Sequence, residues 1–272
     1  MPVREADGNK GDFGKVLVIA GSRNMAGAAY FCAKAAYLSG AGLVRIFSPE
    51  SNRVILQTLI PEAMLTTFLD DKEPDISVLE DAIKKADVIA AGPGLGKSGC
   101  ARTIVHTVLE KAGCPCVLDA DFLNILSEDP GLFSLIRDKK MILTPHIGEM
   151  SRISGIPVRE LKEERTKQAS RFAYEHGITL VMKDSQTVIA GPDGSVSVNR
   201  LYGNNGMATG GSGDVLCGLI AGFIGQGASL EDGAKAGVLA HALAGDLAAE
   251  KKGVRSMTAS DILDHIPEIL KD

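Results

Sequence analysis

Short continuous apolar runs alternate with longer amphipathic segments along most of this chain. The runs are rich in Val, Ile and Leu and predict strands at residues 15–20, 43–47, 87–91, 116–120, 141–144 and 178–183. The segments between them predict helices at residues 26–39, 77–86, 99–112 and 157–176. Because strands buried on both faces lack polar alternation, this order indicates an α/β fold with a mostly parallel central sheet covered by helices on both faces.

The C-terminal part of the chain adds a hairpin and three helices to this pattern. The runs TVIA (187–190) and SVSV (195–198) flank the turn GPDG and predict a small β-hairpin at the edge of the sheet. The helices follow at residues 212–224, 230–250 and 260–270. Thr258 and Asp261 have the spacing of a capping box at the start of the last helix. No linker, repeat or low-complexity tract interrupts the pattern, which predicts one domain over residues 1–272.

Composition and charge exclude several classes of protein. Apolar residues make up 45% of the 272 residues, aromatic residues only 4%, and Trp is absent, so we expect a large aliphatic core. The net charge of −5 and the lack of a long basic run argue against a nucleic-acid partner. No uninterrupted apolar stretch approaches the roughly 18 residues of a membrane span, so no membrane association is predicted.

The cysteine and histidine patterns bear on location and metal content. The five cysteines are odd in number and form no Cys-x-x-Cys pair, and the polar N-terminal segment lacks the features of a secretory signal. We therefore expect free thiols and a cytoplasmic protein. The five histidines are scattered and contain no HExxH motif, so a zinc site is not predicted.

One glycine-rich stretch follows the predicted strand at 87–91, at a place where open α/β sheets bind ligands. AGPGLGKS (91–98) differs from the phosphate loop GxxxxGK[ST] only in its first position. The overlapping GLGKSG (94–99) satisfies GxGxxG, with Asp119 and Asp121 downstream as ribose ligands. The sequence leaves three interpretations of this stretch open: the phosphate loop of an NTPase, the dinucleotide-binding loop of an oxidoreductase, or the glycine-rich wall of a pocket.

A second glycine-rich stretch, GGSGD at residues 210–214, opens an apolar helix. Helix N-termini carry free N–H groups and positive potential, so the amides of Gly211, Ser212 and Gly213 would face an anion. Asp214 would accept the proton of an attacking hydroxyl, and its alternative role is that of a helix cap. The combination predicts a site of phosphoryl transfer.

Several motifs of this chain resemble those of a known family. A Gly-[GST]-Gly-Asp stretch before a small-residue helix is similar to the anion hole of the ribokinase-like small-molecule kinases. Within that group the chain resembles the ADP/ATP-dependent NAD(P)H-hydrate dehydratases over essentially its whole length. The likeness lies in KGDFGKVLVIAGS (10–22), GAGLV (40–44), AGPGLG (91–96), DAD (119–121), LTPHIGEM (143–150), NGMATGGSGDVLCG (205–218) and ASDILDHIP (259–267).

The resemblance implies a ribokinase-like fold and a repair reaction of the hydro-lyase class. Hydrated NADH or NADPH, in its S form, carries a hydroxyl on the reduced nicotinamide ring. Phosphorylation of this hydroxyl by ADP or ATP would give a good leaving group, and loss of phosphate would restore NAD(P)H. Asp214 would then deprotonate the hydroxyl while the amides of residues 211–213 hold the phosphoryl group. Mg²⁺ is expected with transferred phosphates, held mainly by the phosphates and water.

The resemblance also implies two sets of binding residues. The hydrated dinucleotide would contact Ala41, Gly94, Gly96, His146 and Asp214. ADP or ATP would contact Gly213 and the run Lys183, Asp184, Ser185, Gln186 and Thr187. The residues Asn124 and Glu149 would lie near the phosphates and the metal. From the residues alone, His146 is equally a buried structural histidine, Asn124 a helix-start residue and Glu149 a surface carboxylate.

Three positions depart from the family's common pattern. Asp184 stands where Gly usually follows the lysine, Ile147 where Pro follows the histidine, and Ser212 where Thr is commoner. The first change bears on how the backbone approaches the nucleotide. A lysine at the end of an apolar strand, as Lys183 is, needs a partner for its charge.

Two other functions and the nature of the partners stay open at this point. One alternative is a kinase of the same fold that phosphorylates a vitamin precursor such as a hydroxyethylthiazole or a pyrimidine alcohol, and another is a nucleotide-sensing module without turnover. The stand-alone architecture favours ADP as donor and a separate hydrate epimerase as a partner. The Ala/Gly-rich helices at 26–39 and 233–249 would suit a homo-oligomer, including a tetramer.

Overall fold

The apolar runs of the sequence form the strands of one sheet. The computed structural model describes residues 7–70, 72, 74–137 and 139–271, so the first six residues of the polar N-terminal segment lie outside it. Within the described residues the strands are β1 (Lys15–Ile19), β2 (Leu43–Pro49), β3 (Met64–Phe68), β4 (Val88–Ala91), β5 (Cys116–Leu118), β6 (Met141–Leu143), β7 (Thr179–Met182), β8 (Val188–Ala190) and β9 (Val196–Val198).

The strands lie side by side in the order β3-β2-β1-β4-β5-β6-β7-β8-β9. All pairs from β3 to β7 are parallel, with Val16 opposite both Val44 of β2 and Val88 of β4. The pairs β7–β8 and β8–β9 are antiparallel, and β9 forms one edge. The prediction of a mostly parallel sheet that ends in a small hairpin is therefore confirmed.

Helices cover both faces of this sheet. In chain order they are α1 (Ala26–Leu38), α2 (Arg53–Leu59), α3 (Ile76–Lys84), α4 (Gly99–Lys111), α5 (Asp121–Glu128), α6 (Ile147–Ser154), α7 (Val158–Glu163), α8 (Arg165–His176), α9 (Ser212–Gly225), α10 (Leu230–Lys252) and α11 (Ala259–Ile269). Leu17 and Ile19 of β1 pack in the core that contains α3, α4 and α8, whereas Val16 and Val18 pack with α1 and α9. Burial on both faces explains the continuous apolar runs.

Close packing between α1 and α9 fixes the position of the glycine-rich helix start. A Cβ atom built on Gly218 would lie 2.1 Å from the carbonyl oxygen of Cys32, and one on Gly222 would lie 2.8 Å from that of Ala36. Only glycine lets the two backbones approach so closely. The contact fixes α9 against α1 on one face of the sheet, so that the first turn of α9 has a defined place.

The prediction of one long polar helix at residues 157–176 is wrong. The structure has two helices there, α7 and α8, separated at Glu164, whose backbone has φ −116° and ψ 34°. Between Leu161 and Gln168 no residue is buried, so no apolar contact holds this stretch in a continuous helix. The break brings Arg165 to the first turn of α8, a position that bears on the site described below.

Two further features of the described residues answer questions raised by the sequence. The capping box at the start of α11 is confirmed, because the Thr258 amide donates to Asp261 Oδ2 over 2.8 Å. Among the helices that the structure describes, none combines the length and the apolar character needed to cross a membrane.

Candidate active site

The carboxyl ends of β4, β5, β6 and β7 lie next to one another, because parallel pairing points these strands in the same direction. The line that these ends form is the carboxyl edge of the sheet, and it is the edge meant below. Backbone hydrogen bonds join the segments that follow them: the Asp119 amide donates to Ala91 O over 3.0 Å, and the Lys183 amide donates to Pro145 O over 2.8 Å. The first turn of α9 lies against the same edge, since a Cβ built on Gly213 would lie 3.2 Å from Lys183 Nζ. Polar strand exits and a helix N-terminus therefore surround one space.

The helix start depends on the conformation of Gly211. This residue caps α9 with φ 90° and ψ −17°, in the left-handed region. A Cβ there would lie 2.7 Å from the Phe31 ring. The Ser212 amide donates to Thr209 O over 3.3 Å, whereas those of Gly211 and Gly213 donate no hydrogen bond to other described residues. Two of the three amides predicted to hold an anion are thus available to one.

Replacing Gly211 with alanine is expected to destabilise the protein by about 2 kcal/mol, because the left-handed backbone and the contact with Phe31 both oppose a Cβ. Gly210→Ala is the matched control, since a Cβ there has no heavy atom within 4 Å. Urea denaturation of both variants measures the difference. Equal stabilities would contradict the conformational requirement at Gly211.

Asp214 lies in this first turn of α9, and its environment suits a base. Burial, followed by the negative charge of Asp119, raises its pKa from 3.8 to about 7, although Lys183 acts in the opposite direction. A carboxylate with a pKa near the working pH both accepts and releases a proton readily. A helix cap alone would be served by an ordinary, solvent-exposed carboxylate.

A buried ion pair places a cation beside the free amides. Lys183 Nζ lies 2.6 Å from Asp119 Oδ1, and the Asp119 side chain is 1% exposed. Burial lowers the pKa of Lys183, but the carboxylates of Asp119 and Glu149 outweigh it and raise that pKa overall, so the ammonium stays charged. Asp119 is therefore a partner of Lys183, and its interpretation as a ribose ligand is wrong. The cation and the helix N-terminus act on the same space.

His146 and Glu149 form a reciprocal cap at the start of α6. His146 Nδ1 accepts a hydrogen bond from the Gly148 amide over 2.9 Å, and Glu149 Oε2 accepts one from the His146 amide over 2.8 Å. The His146 side chain is 53% exposed and that of Glu149 only 6% exposed. His146 is thus an exposed capping residue, not a buried one, and its Nε2 lies 3.5 Å from Glu149 Oε1. The surface position considered for Glu149 is wrong. Burial raises the pKa of Glu149, while Lys183 lowers it.

The stretch from Ala91 to Ser98 forms a wall of this space and not a phosphate loop. Lys97 points outward to Glu128, at 2.9 Å, instead of back over the loop. Gly94, with φ 59°, lies against α1, since a Cβ there would be 2.7 Å from that of Ala28. The glycine-rich wall is the interpretation that the geometry supports.

Asp121 holds this wall in place. Its Oδ2 accepts a hydrogen bond from the Gly96 amide over 2.8 Å, and its Oδ1 accepts one from Asn124 Nδ2 over 3.2 Å. Asn124 lies in the first turn of α5, as expected if it is a helix-start residue. Its hydrogen bond to Asp121 connects it to the site. Gly96 and Asn124 are thereby connected to the carboxylate cluster around Asp214, because Asp121 contributes to the raised pKa of that residue.

Ala41 is the one predicted site residue that the chain does not bring to this edge. It precedes β2, which begins at Leu43, so it lies beyond the amino end of a strand. The seven residues of β2 place its amino end about 20 Å from the carboxyl edge of the sheet. Ala28, which contacts Gly94, occupies the position beside the glycine-rich wall instead.

The loop from Lys183 to Thr187 carries the Asp184 that departs from the family pattern. Asp184 Oδ2 pairs with Arg165 Nη2 at 2.9 Å, and its Oδ1 accepts from the Ser185 amide over 2.8 Å. Arg165 Nη1 also donates to the Gln186 carbonyl oxygen over 3.4 Å. The added charge is therefore neutralised within the chain, and the same arginine fixes the loop backbone.

Another residue at the helix start has no signal in the sequence. His241, in the Ala-rich helix α10, places Nε2 3.1 Å from Ser212 Oγ. Burial lowers its pKa to about 4, so it is neutral and adds no positive charge. In the part of the chain that the structure describes, no three His, Cys, Asp or Glu side chains are grouped to hold a metal ion.

Comparisons with known proteins agree with this geometry. The profile of the NAD(P)H-hydrate dehydratase family matches residues 16–268. The bifunctional NAD(P)H-hydrate repair enzyme of Moorella thermoacetica is 39% identical over 277 residues, which cover 100% of this chain and 52% of that protein. The chain thus spans about half the length of the first curated relatives it matches.

Two relatives are closer to this chain in length. The ADP-dependent (S)-NAD(P)H-hydrate dehydratase of Neisseria meningitidis is 37% identical, over 92% of this chain and 82% of that protein. The crystal structure of the ADP/ATP-dependent NAD(P)H-hydrate dehydratase of Bacillus subtilis, co-crystallised with ATP/Mg²⁺, superposes with a TM-score of 0.83 at 30% identity, over 100% of this chain and 94% of that one. The ribokinase-like fold expected from the sequence is confirmed.

Proposed function

Since this chain belongs to the NAD(P)H-hydrate dehydratase family, we propose that it converts hydrated NADH or NADPH of the S form back to NAD(P)H at the expense of ADP or ATP. The observation that carries the proposal is Asp214, a carboxylate with a pKa near 7 in the first turn of α9. It lies beside free backbone amides and a charged lysine, the groups that a transferred phosphoryl group needs.

The proposed reaction has two steps. Asp214 takes the proton of the ring hydroxyl while the hydroxyl oxygen attacks the terminal phosphoryl group of the donor. The amides of Gly211 and Gly213 and the Lys183 ammonium stabilise the negative charge of that group. The lone pair of the ring nitrogen then expels phosphate by breaking the carbon–oxygen bond, and loss of a proton from the neighbouring ring carbon restores the dihydronicotinamide.

We place the donor nucleotide along the loop from Lys183 to Thr187. This loop follows β7 and begins at Lys183, whose ammonium lies beside Gly213. The terminal phosphate of the donor would therefore face the α9 N-terminus. Mg²⁺ would bind chiefly to donor phosphates and water, as is usual for this ion, with the buried Glu149 carboxylate as the nearby acidic group. The bound ion would neutralise charge on the phosphates.

The hydrated dinucleotide would lie on the other side of the phosphoryl group, between His146 and the wall formed by Gly94 and Gly96. The His146 side chain is 53% exposed, and its Nε2, which lies 3.5 Å from Glu149 Oε1, could donate to a phosphate or a ribose. Product analysis tests this assignment against a kinase of the same fold. The proposal requires inorganic phosphate as product, whereas a kinase would leave a stable phosphoester of its alcohol substrate.

Asp184 is expected to be compatible with a nucleotide only while Arg165 neutralises it. Arg165→Gln would leave an unpaired carboxylate on the donor loop and free the Gln186 carbonyl. We expect the Kd for ADP or ATP to rise about tenfold, which corresponds to roughly 1.4 kcal/mol, with a smaller change in kcat. Isothermal titration calorimetry measures the Kd.

The Arg165→Gln, Asp184→Gly double variant is expected to regain most of the affinity, since the unpaired charge is gone. Arg159→Gln is the matched control, because Arg159 pairs with Glu163 on the exposed surface of α7. A double variant as weak as Arg165→Gln alone would show that the arginine itself, and not the neutralised aspartate, governs binding.

We further propose a cytoplasmic homo-oligomer, such as a tetramer, that works beside a separate hydrate epimerase. Support for self-association comes from exposed apolar side chains on α2 and β3: Val54 is 75% exposed, Ile55 48% and Met64 38%. Support for the epimerase comes from relatives about twice as long that are named bifunctional repair enzymes. Light scattering after size-exclusion chromatography measures the oligomeric state.

A further inference from the structure

A cavity opens at the carboxyl ends of the strands, on the same edge of the sheet as the candidate active site. It has a volume of about 210 Å³ and lies where β1, β2 and β3 end and α4 begins. The side chains that give it its character are Leu95, Ile104 and Phe68, which are apolar, and Ser22, Arg23 and Ser98, which are polar. The mechanism proposed above uses none of these six residues.

The cavity and the candidate active site share the glycine-rich wall. Leu95 faces the cavity, while the next residue, Gly96, donates its amide to Asp121 in the carboxylate cluster. Gly96 borders the cavity, because a Cβ built on it would lie in van der Waals contact with the lining residue Ser22, 3.7 Å from its Oγ. Gly96 and Ser22 therefore form the boundary between the candidate active site and the cavity.

The direction of phosphoryl transfer indicates which ligand this is. The attacking and leaving oxygens lie on opposite sides of the phosphoryl group. The donor loop follows β7, on one side of the α9 N-terminus, so the acceptor lies on the side of β4 and β1. The hydrated nicotinamide occupies the space beside Asp214, and the remainder of the dinucleotide extends away from the donor.

We infer that this cavity binds the adenosine half of the hydrated dinucleotide, an inference that rests on the proposed function. A volume of 210 Å³ is below the roughly 300–1,000 Å³ of pockets that hold a whole drug-sized ligand. It suits one ring system, so the adenine base would lie inside the cavity and the ribose at its mouth. Leu95 and Ile104 offer an apolar surface to a base. The exposed Arg23 guanidinium on the rim would face the linking phosphates.

One acidic residue also lines the cavity, and its carboxylate is bound to another part of the chain. Asp70 also lines the cavity, but its carboxylate accepts hydrogen bonds from both the amide and the hydroxyl of Ser51, at 3.1 and 2.5 Å. Its oxygens are thus engaged by the loop after β2. Arg23 is left as the charged group at the mouth that suits a phosphate.

The test compares the binding of two reaction products, NADH and the reduced nicotinamide mononucleotide, which lacks the adenosine half. Both are titrated into the full-length protein with saturating ATP, so that the donor site is filled. Wild-type protein is expected to bind NADH at least tenfold more tightly than the mononucleotide. Ala101→Leu, which narrows the cavity, and Arg23→Gln, at an exposed position, are each expected to reduce that ratio to less than threefold.

Ala112→Leu is the matched control, because Ala112 is also buried, directly after the last turn of the same helix, and lies outside the cavity lining. It is expected to keep the wild-type ratio. A ratio near one in the wild-type protein, or one that neither cavity variant changes, would overturn the inference. Failure of the proposed function is a separate result, namely no turnover of hydrated NADH with either donor while the difference in binding persists.

Discussion

Replacing Asp214 with asparagine is expected to lower kcat by about 10³-fold or more, because an amide of the same shape accepts no proton from the ring hydroxyl. The free amides at the α9 N-terminus and Lys183 stay in place, so the Kd for ADP or ATP is expected to change less than threefold. Phosphate release measures the first quantity and calorimetry the second. Asp214→Glu, which keeps a base but displaces it, is expected to retain partial activity.

The pH dependence of the wild-type enzyme follows from the same residue. The base must be ionised, so kcat/KM is expected to rise with pH and to level off above the pKa of about 7. This limb should be absent from the residual activity of Asp214→Asn. A variant with near-normal kcat, or an unchanged acid limb, would show that another group is the base.

Asp214 is also expected to cost stability at neutral pH, and this provides a folding control. Its folded pKa is raised above the unfolded value of 3.8, so the folded state favours the protonated form. The stability it contributes is present below pH 4 and is lost as the pH rises through about 7. Asp214→Asn should therefore have a Tm at pH 8 equal to or above that of the wild-type protein, as measured by calorimetry.

Replacing Asp119 with asparagine is expected to damage both stability and activity. Lys183 would lose the carboxylate 2.6 Å from its ammonium and be left as a mostly buried, poorly partnered charge. Breaking one side of such a pair costs roughly 3 kcal/mol. The lysine would also no longer be held beside Gly213, so we expect kcat to fall about 100-fold, by the loss of one positioned charge-stabilising group.

A pH profile separates this electrostatic role from simple loss of packing. Asp119 raises the pKa of Asp214, so its removal should shift the acid limb of kcat/KM to lower pH. Glu128→Gln is the matched control, because it breaks exposed ion pairs with Lys97 and Arg102 and should cost less than about 1 kcal/mol. An Asp119→Asn enzyme with the wild-type stability and acid limb would contradict the account.

The sequence predicted the strands and helices whose buried residues form a clear apolar pattern along the chain. Strands such as β1 and β4 are buried almost throughout and read as unbroken apolar runs. β3 was not predicted, because as an edge strand none of its five residues is fully buried. α2 was not predicted either, since its exposed Val54 and Ile55 obscure the amphipathic period.

The site shows the same division between local and distant information. The glycines and Asp214 are adjacent in sequence, so their joint role was visible there. The partner of Lys183 was not, because Asp119 lies 64 residues away and becomes its neighbour only through the parallel order of β5, β6 and β7. Arg165 was hidden in a stretch expected to be the middle of one long helix.

The most direct test of the central claim is to incubate the wild-type protein with hydrated NADH and either ADP or ATP. The near-ultraviolet absorbance of the dihydronicotinamide ring and the inorganic phosphate are followed together. Absorbance is expected to return only with a donor, and one phosphate is expected to appear for each NADH restored. No recovery of absorbance with either donor, or a stable phosphoester in place of free phosphate, would contradict it.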